Sequence, residues 1–477
     1  MSHQYLPSDS FRSYHPATPR PRIIYIGLSL EFYRAGDPAC VERFGEIFDH
    51  FAEKLSSAAE ITARKLCFTE DEIESVLQNN QDQAEVVVIS ALSYTGSCMS
   101  VPSLKRCSLP VVFWNTQYMQ EIADDFSNDD LYMNHTVQGL HDVGALLFSS
   151  GVKFRCVTGH CDSPEALKKL SDTLLAARAV RNTRNMKVLC IGGMFEGMGD
   201  FLYDPEHIRS IWGPTAENVK SSTLMEYFNT VSPEETAATA EREQRFFNMQ
   251  LSGEDFRISV RMALALEKLL RERNCQALTV NFKQLLDDKI LPTMPFYGIN
   301  RLMAKNVGYA GEGDMLRAAM MSELNMLGGL TCFTEIYTID FANNLMLMSH
   351  MQECNPAWAR RGELITLQRK EFSKRVNPMP YAGMHFTLEP GDATLVNITQ
   401  KPDGKLRLIA FAGTITDHKI LNNYPSAHWL LHTPDVCRTL DCYSQAGGTH
   451  HLCAMEGIRF EQLKTLAYCH DMEFYQF

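Results

Sequence analysis

Short apolar runs recur through the first half of this chain, each separated from the next by a stretch of helical periodicity. They are "RIIYIG" from 22, "EVVVISAL" from 85, "PVVFWN" from 110 and "KFRCVTG" from 153. Because the apolar residues are continuous rather than alternating, both faces of each strand must be covered, which implies a parallel sheet with helices on either side. Helices near 41–58 and 134–149 supply that cover. A second unit of the same kind starts at "MKVLCIGG" from 186. Ser232-Pro233-Glu234-Glu235 has the form of a capping box with proline at the first helical position, and predicts a helix running to about 250. Another helix is predicted over about 256–273, and "QALTVNF" follows as a buried strand. From about 380 the texture changes: "ATLVNITQ" and "KLRLIAFAGTI" flank "KPDG", whose Asp-Gly is a hairpin signal, so the last part of the chain reads as antiparallel. The expected α/β architecture is two Rossmann- or flavodoxin-like parallel-sheet domains, at 22–180 and 181–325, and a mainly antiparallel β domain at 326–477. Residues 1–21, rich in Ser, Pro, His and Arg, read as an extended arm.

Charge and cysteine usage narrow the function classes. Among 477 residues there are 57 acidic and 45 basic ones, a formal charge of -12 that argues against a nucleic-acid or anionic-membrane partner and leaves small neutral ligands open. No run approaches the roughly 18 apolar residues of a spanning helix, and the amino-terminal stretch has no apolar signal core, so the expected location is cytoplasmic. The 14 cysteines contain no C-x-x-C pair and are expected to be reduced and mostly buried.

One stretch stands apart, "VGYAGEGDM" from 307. Its glycines let the backbone turn sharply and approach a ligand, yet Met315 and Leu316 stand where a phosphate cradle needs Lys and Ser or Thr. What remains is Glu312 and Asp314 on a loop that reads as bare and unshielded. Downstream come Glu335 in "CFTEIYTIDF", His350 in "LMLMSHMQECNP", and His450 and His451 in "QAGGTHHLCAM". Taken singly, these could be an outward residue on an edge strand, a hydrogen-bonded core histidine and a polar turn. Taken together, they offer hard oxygen and borderline nitrogen donors. That mixture suits Mn²⁺ or a similar divalent ion in an octahedral site with positions left for substrate oxygens.

These four motifs, in this order, resemble the L-arabinose isomerase family, within the wider group that includes L-fucose isomerase. "GYAGEGDM" is similar to the family's metal-site loop, "FTEIYTIDF" to its second glutamate strand, "SHMQECNP" to its first metal histidine, and "AGGTHHL" to its C-terminal histidine pair. Weaker similarity runs through "NTQYMQEIADDF", "MNHTVQG", "VTGH" and "ALTVNFKQL". The resemblance implies an aldose–ketose isomerase acting through an ene-diol on a monosaccharide. Glu312 and Glu335 are then both acid/base pair and metal ligands, and His350 and His451 complete the set around Mn²⁺, or Co²⁺ or Mg²⁺. His450 then contacts substrate, although either member of the pair could be the ligand. Asp314 orients a ligand or caps the helix that begins near Met315.

The resemblance also implies a homotrimer or homohexamer in which the N-terminal domain of one chain closes over the metal of its neighbour. Substrate contacts would then be Glu31, Asn115, Gln117, Thr279, Phe282 and His450. Here the sequence departs from the family. The family's "HTQF" reads Asn115-Thr116-Gln117-Tyr118, its "GSQHLYG" corresponds to Gly27 through Tyr33 without the glutamine, and its "GDNM" lies near Gly193-Met194-Phe195-Glu196. An amide in place of an imidazole changes both hydrogen-bond geometry and possible charge. The metal end is kept and the sugar end altered. The alternative is a catalytically silent sugar-binding or regulatory relative with the same metal site.

Overall fold

The computed structural model of the protein describes residues 10–371 and 378–477. They divide into two compact units. One comprises Pro19–Asn182 with Glu461–His470; the other comprises the chain through Thr18, Thr183–Phe460 and Asp471–Phe477.

The first unit is built on five parallel strands, Arg22–Leu28 (β1), Glu60–Cys67 (β2), Val86–Ala91 (β3), Val111–Asn115 (β4) and Phe154–Thr158 (β5), in the order β2-β1-β3-β4-β5. Side chains alternate across a strand, and the continuous apolar runs use both faces. Ile23, Tyr25, Val86 and Val88 enter one apolar cluster, while Ile24, Ile26, Val87 and Ile89 enter another. The covering helices are Pro38–Leu55, capped by Asp37, and Val137–Ser149, preceded by a short helix Asn128–Asn134.

The second unit continues with Lys187–Ile191 (β6), Thr215–Val219 (β7), Phe247–Gln250 (β8), Ala277–Val280 (β9) and Gly308–Gly311 (β10). Four of these form a parallel sheet in the order β10-β9-β6-β7. The helix expected to reach about 250 stops at Glu243. Ser232 accepts from the Glu235 amide as its cap, but the aromatic run after Gln244 turns into β8. Tertiary pairing with a distant strand overrides the local helical reading there.

Nine further strands follow among the described residues: Thr331–Asp340 (β11), Leu345–Ser349 (β12), Ile365–Glu371 (β13), Pro380–His385 (β14), Gly391–Gln400 (β15), Leu406–Ile415 (β16), His428–His432 (β17), His451–Glu456 (β18) and Glu473–Gln476 (β19). A mainly antiparallel sheet runs β15-β18-β11-β12-β17-β16 and closes through the β15–β16 hairpin into a barrel, with β19 added in parallel on β16. The hairpin turns at Lys401–Lys405, on the Asp-Gly signal. β8, β13 and β14 form a separate three-stranded sheet.

Of the expected arm, residues 1–9 lie outside the described residues. Phe11–Tyr14 make one turn of 3₁₀ helix, and Phe11 is fully buried with ring centroids 5.2 Å from Phe246 and 5.6 Å from Phe247. Burying one such ring contributes about 1.5–3 kcal/mol, enough to hold a segment that is otherwise polar. All the cysteines are free. Among the described residues no helix is long and apolar enough to cross a membrane.

Candidate metal centre

Two architectural edges deliver the polar residues. Glu312 follows β10 directly, at the carboxyl end of the parallel sheet, where α/β folds place ligand groups. Glu335 lies in β11, with His451 of β18 opposite on one side and Ser349 of β12 on the other. His350 is the next residue after β12. Three adjacent barrel strands therefore set His451, Glu335 and His350 in a row.

His451 Nε2 lies 3.2 Å from Glu335 Oε1 and 3.5 Å from Glu312 Oε2. His350 Nε2 is 3.4 Å from Glu335 Oε1. His450 Nε2 is 3.4 Å from Glu312 Oε2 and 3.9 Å from Glu335 Oε1. Ligand atoms of Glu312, Glu335, His450 and His451 all fall within 4.8 Å of one another. His350 reaches this group through Glu335 and, ring to ring at 5.9 Å, through His451, while His450, which the sequence left open as the ligand of the pair, approaches both glutamates.

Each imidazole is tethered at its other nitrogen. His451 Nδ1 pairs with Asp314 Oδ2 at 2.9 Å, His350 Nδ1 with Glu353 Oε2 at 2.7 Å, and His450 Nδ1 with Asp200 Oδ2 at 2.5 Å. A carboxylate on Nδ1 fixes that nitrogen as the donor and turns the Nε2 lone pair toward the glutamates, which is how metal-binding histidines are oriented. His451 Nε2 is buried and has no hydrogen-bond partner among the described residues, although two carboxylates face it. A lone pair held against two anions needs a cation between them. The donors, two carboxylates and a set of imidazoles, fit a divalent metal ion.

Protonation states reflect the same crowding. Burial favours neutral His350, but the Glu353 charge and the hydrogen bond to Glu335 outweigh it and push the imidazole up to about 10. His451 is pushed well above its usual value against the same burial penalty, through Asp314, Glu312 and Glu335. Burial opposes ionisation of Glu312, yet the hydrogen bond from His450 and the neighbouring charge of His451 bring its carboxyl down to about 2; Glu335 is lowered likewise by His350 and His451. Without a metal ion, protons on the histidines balance the carboxylates.

The glycine loop is not bare. Glu312 is 7% exposed and Asp314 is fully buried. Glu312 holds φ at 65°, a left-handed conformation that costs of order 1–3 kcal/mol in a residue with a side chain. Gly313, at φ 87°, packs under the neighbouring segment, where a Cβ would sit 2.4 Å from the Gly193 carbonyl oxygen. A Cβ at Gly311 would meet the His350 ring at 3.0 Å. The Glu312 carbonyl accepts from the Phe195 amide at 2.8 Å. Asp314 takes both of its expected parts at once: Oδ1 accepts from the Arg317 amide as the cap of helix Met315–Asn325, and Oδ2 orients His451.

Thr279 is buried, and its hydroxyl accepts from the Gly313 amide while donating to the Gly311 carbonyl, so it clamps the loop. Phe282 begins the next helix and packs on Phe195 at 5.4 Å. Glu31, Asn115 and Gln117 belong to the first unit. Glu31 pairs with Arg34, Asn115 Nδ2 donates to Thr158 Oγ1, and Gln117 Nε2 donates to the Met119 carbonyl. Glu31 follows β1 and Asn115 ends β4, both at the carboxyl edge of their sheet.

The sequence reading missed Glu353 and Asp200, which orient His350 and His450, and the rings of Phe201 and Phe333, which wall His451 at 5.6 and 4.8 Å. Glu353 carried a signal, an acid three residues beyond a histidine. Asp200 carried none.

Family models for the three domains of L-arabinose isomerase match this chain: the N-terminal domain over residues 33–185, the central domain over 209–329 and the C-terminal domain over 330–473. An L-arabinose isomerase of Yersinia enterocolitica is 24% identical over 459 residues, covering 92% of this chain and 91% of that one. Another, of Serratia proteamaculans, is 24% identical over 447 residues, covering 90% and 88%. One from Shigella flexneri is 23% identical over 458 residues, covering 91% and 90%.

Proposed function

This chain belongs to the L-arabinose isomerase family, and from that premise we propose that it interconverts a monosaccharide aldose and its ketose, with Glu312 and Glu335 as the proton-carrying pair. The observation that carries the reading is the convergence of three carboxylate-tethered imidazoles on these two glutamates. Glu312, Glu335, His350 and His451 would hold a divalent ion such as Mn²⁺, Co²⁺ or Mg²⁺, with His450 as a further ligand or as a substrate contact. Such an ion polarises sugar oxygens and stabilises the negative charge that develops on them.

The residues themselves do the rest. One glutamate takes the proton from C2 of the aldose and delivers it to C1, while the other carries the hydroxyl proton from O2 to O1, so an ene-diol forms and collapses without net gain or loss of protons. Both carboxyls are held ionised, the form that can accept a proton. Asp314, Glu353 and Asp200 keep the three imidazoles turned inward. Phe201 and Phe333 exclude water from His451. Retention of both glutamates gives no support to a silent relative, since chelation alone needs no proton carrier.

Glu31, Asn115 and Gln117 would select the sugar from a neighbouring chain of a homotrimer or homohexamer, and their departure from the family leaves the sugar itself to experiment. The domain division at about 180 and 325 is supported by where the family models begin and end. Free cysteines throughout favour a reducing, cytoplasmic setting. The test is to assay ketose after incubating the purified protein and Mn²⁺ with a panel of pentoses, hexoses and deoxy sugars. Turnover of at least one aldose is expected; ketose from none of them would reject the proposal.

A further inference from the structure

The three-stranded sheet carries a second polar cavity. Register places Thr366 of β13 beside Asn248 of β8 and His385 of β14, with Gln368 beside Gln250 one step along. Side chains two apart in a strand share a face, so one face of this sheet presents a row of amide, hydroxyl and imidazole groups. They line a cleft of about 310 Å³. Asn248 Nδ2 lies 3.5 Å from Thr366 Oγ1, and Gln368 Nε2 donates to Gln250 Oε1 at 3.0 Å. Each amide therefore keeps hydrogen-bonding capacity unspent.

His385 and Thr387 also line the cleft, and their Nε2 and Oγ1 atoms are buried without a hydrogen-bond partner among the described residues. Buried polar atoms are nearly always satisfied. Both side chains belong to the lining and add an imidazole and a hydroxyl to the polar row. Among the described residues the wall carries one cation, and it is already balanced, because Arg360 pairs with Asp417 at 2.5 Å and with Glu363 at 3.3 Å. The wall thus offers no surplus charge to an anion and no converging carboxylates to a metal. Leu364, Phe386 and Ile420 add apolar surface beside the polar row.

We infer that this cleft is a binding site for a neutral polyhydroxylated molecule of monosaccharide size, a sugar or an alditol, separate from the Glu312–Glu335 centre. Hydroxyl groups match the paired donors and acceptors of the amides, the C–H face matches the apolar patch, and the volume lies at the small end of ligand pockets. The inference does not rest on the catalytic reading.

The test measures equilibrium binding of radiolabelled ribitol and sorbitol to the full chain in EDTA, alongside the Glu335→Gln variant. Saturable binding of one equivalent per chain that survives both EDTA and Glu335→Gln is expected for at least one of the two probes. Asn248→Leu, at an exposed position, and Gln368→Leu, at a half-buried one, should each weaken it at least tenfold while thermal unfolding and any ketose formation stay as in the parent. No saturable binding of either alditol in EDTA, which would mean that only water fills the cleft, overturns the inference. Binding that neither leucine variant weakens overturns it as well.

Discussion

Two groups of three histidines lie in the same unit of this protein, and they differ in what sits behind each ring. His350, His450 and His451 each lean on a carboxylate through Nδ1 and face further carboxylates through Nε2, Glu335 for His350 and both Glu312 and Glu335 for His450 and His451. His385 and His418 both lie tilted against His428, with ring centroids of 5.8 Å and 5.9 Å from His428 to the other two. Their support is backbone: His428 Nδ1 donates to the Ser426 carbonyl and its Nε2 accepts from the Leu421 amide, each at 2.9 Å, and His418 Nδ1 donates to the Thr416 carbonyl. Burial acts on both groups in the same direction. In the first, surrounding anions overcome it and raise all three; in the second, nothing does, and burial lowers all three, His428 to about 4. A histidine cluster becomes a cation-binding centre through the acids arranged around it, and the imidazoles alone do not make one.

The strongest way to break this contrast is to remove the acids that carry protons. Glu312→Gln and Glu335→Gln should each lower kcat by about 10²–10⁴ at saturating Mn²⁺, since an amide cannot shuttle a proton. Normal turnover by either variant would remove that glutamate from the acid/base pair.

The next effect concerns the acids behind the rings. Glu353→Gln keeps the shape of the side chain but takes away the charge on His350, and Mn²⁺ affinity should fall about 10–100-fold by titration. His418→Gln, in the backbone-supported group, should leave that affinity unchanged. Equal losses in the two variants would erase the distinction.

How much of this contrast the sequence announced depends on where each partner lies. The parallel sheets were legible because β1, β3 and β4 are unbroken apolar runs, and the β15–β16 hairpin because Asp403-Gly404 marks its turn. Glu312, Glu335, His350 and the histidine pair stood out as polar residues inside apolar or glycine-rich stretches. Burial of the Glu312 loop was not legible, because its cover comes from Gly193 and Met194, far back in the chain. Asp200 meets His450 across 250 positions, with nothing local in either segment to link them. β8 was hidden for the same reason: its strand partner among the described residues, β13, begins more than a hundred residues later.

Stability against pH sharpens the comparison without any mutation. His350 has a folded pKa raised to about 10, so its contribution is fully present below the unfolded value near 6.5 and is lost as pH rises through about 10. His428 is a base depressed to about 4: the unfolded chain takes up the proton first, and stability falls as pH drops from about 6.5 toward 4. Thermal melts in EDTA should therefore decline on both sides of neutrality. Mn²⁺ should remove the alkaline decline, because the ion takes the place of the protons, and leave the acid one untouched. A decline on the alkaline side that Mn²⁺ cannot lift would contradict the assignment of charge to His350.

The smallest effect lies outside both clusters. Asn115→His restores the imidazole found in the family's motif, and the ratio of kcat/KM between two sugars should change by roughly tenfold while Mn²⁺ affinity stays constant. A variant that lost metal and kept its sugar preference would defeat the idea that this strand end reads the sugar.

Metal titration decides whether the acid-backed histidines and the two glutamates make a working metal-dependent isomerase centre. Mn²⁺ should be titrated into EDTA-stripped full-length protein with an aldose from the panel, and ketose formation followed at each step. Ketose formation is expected to be absent before metal and to saturate at one ion per chain, with protons released as the ion binds. Equal rates with and without metal would contradict the account, and so would no ketose from any sugar at any concentration of Mn²⁺, Co²⁺ or Mg²⁺.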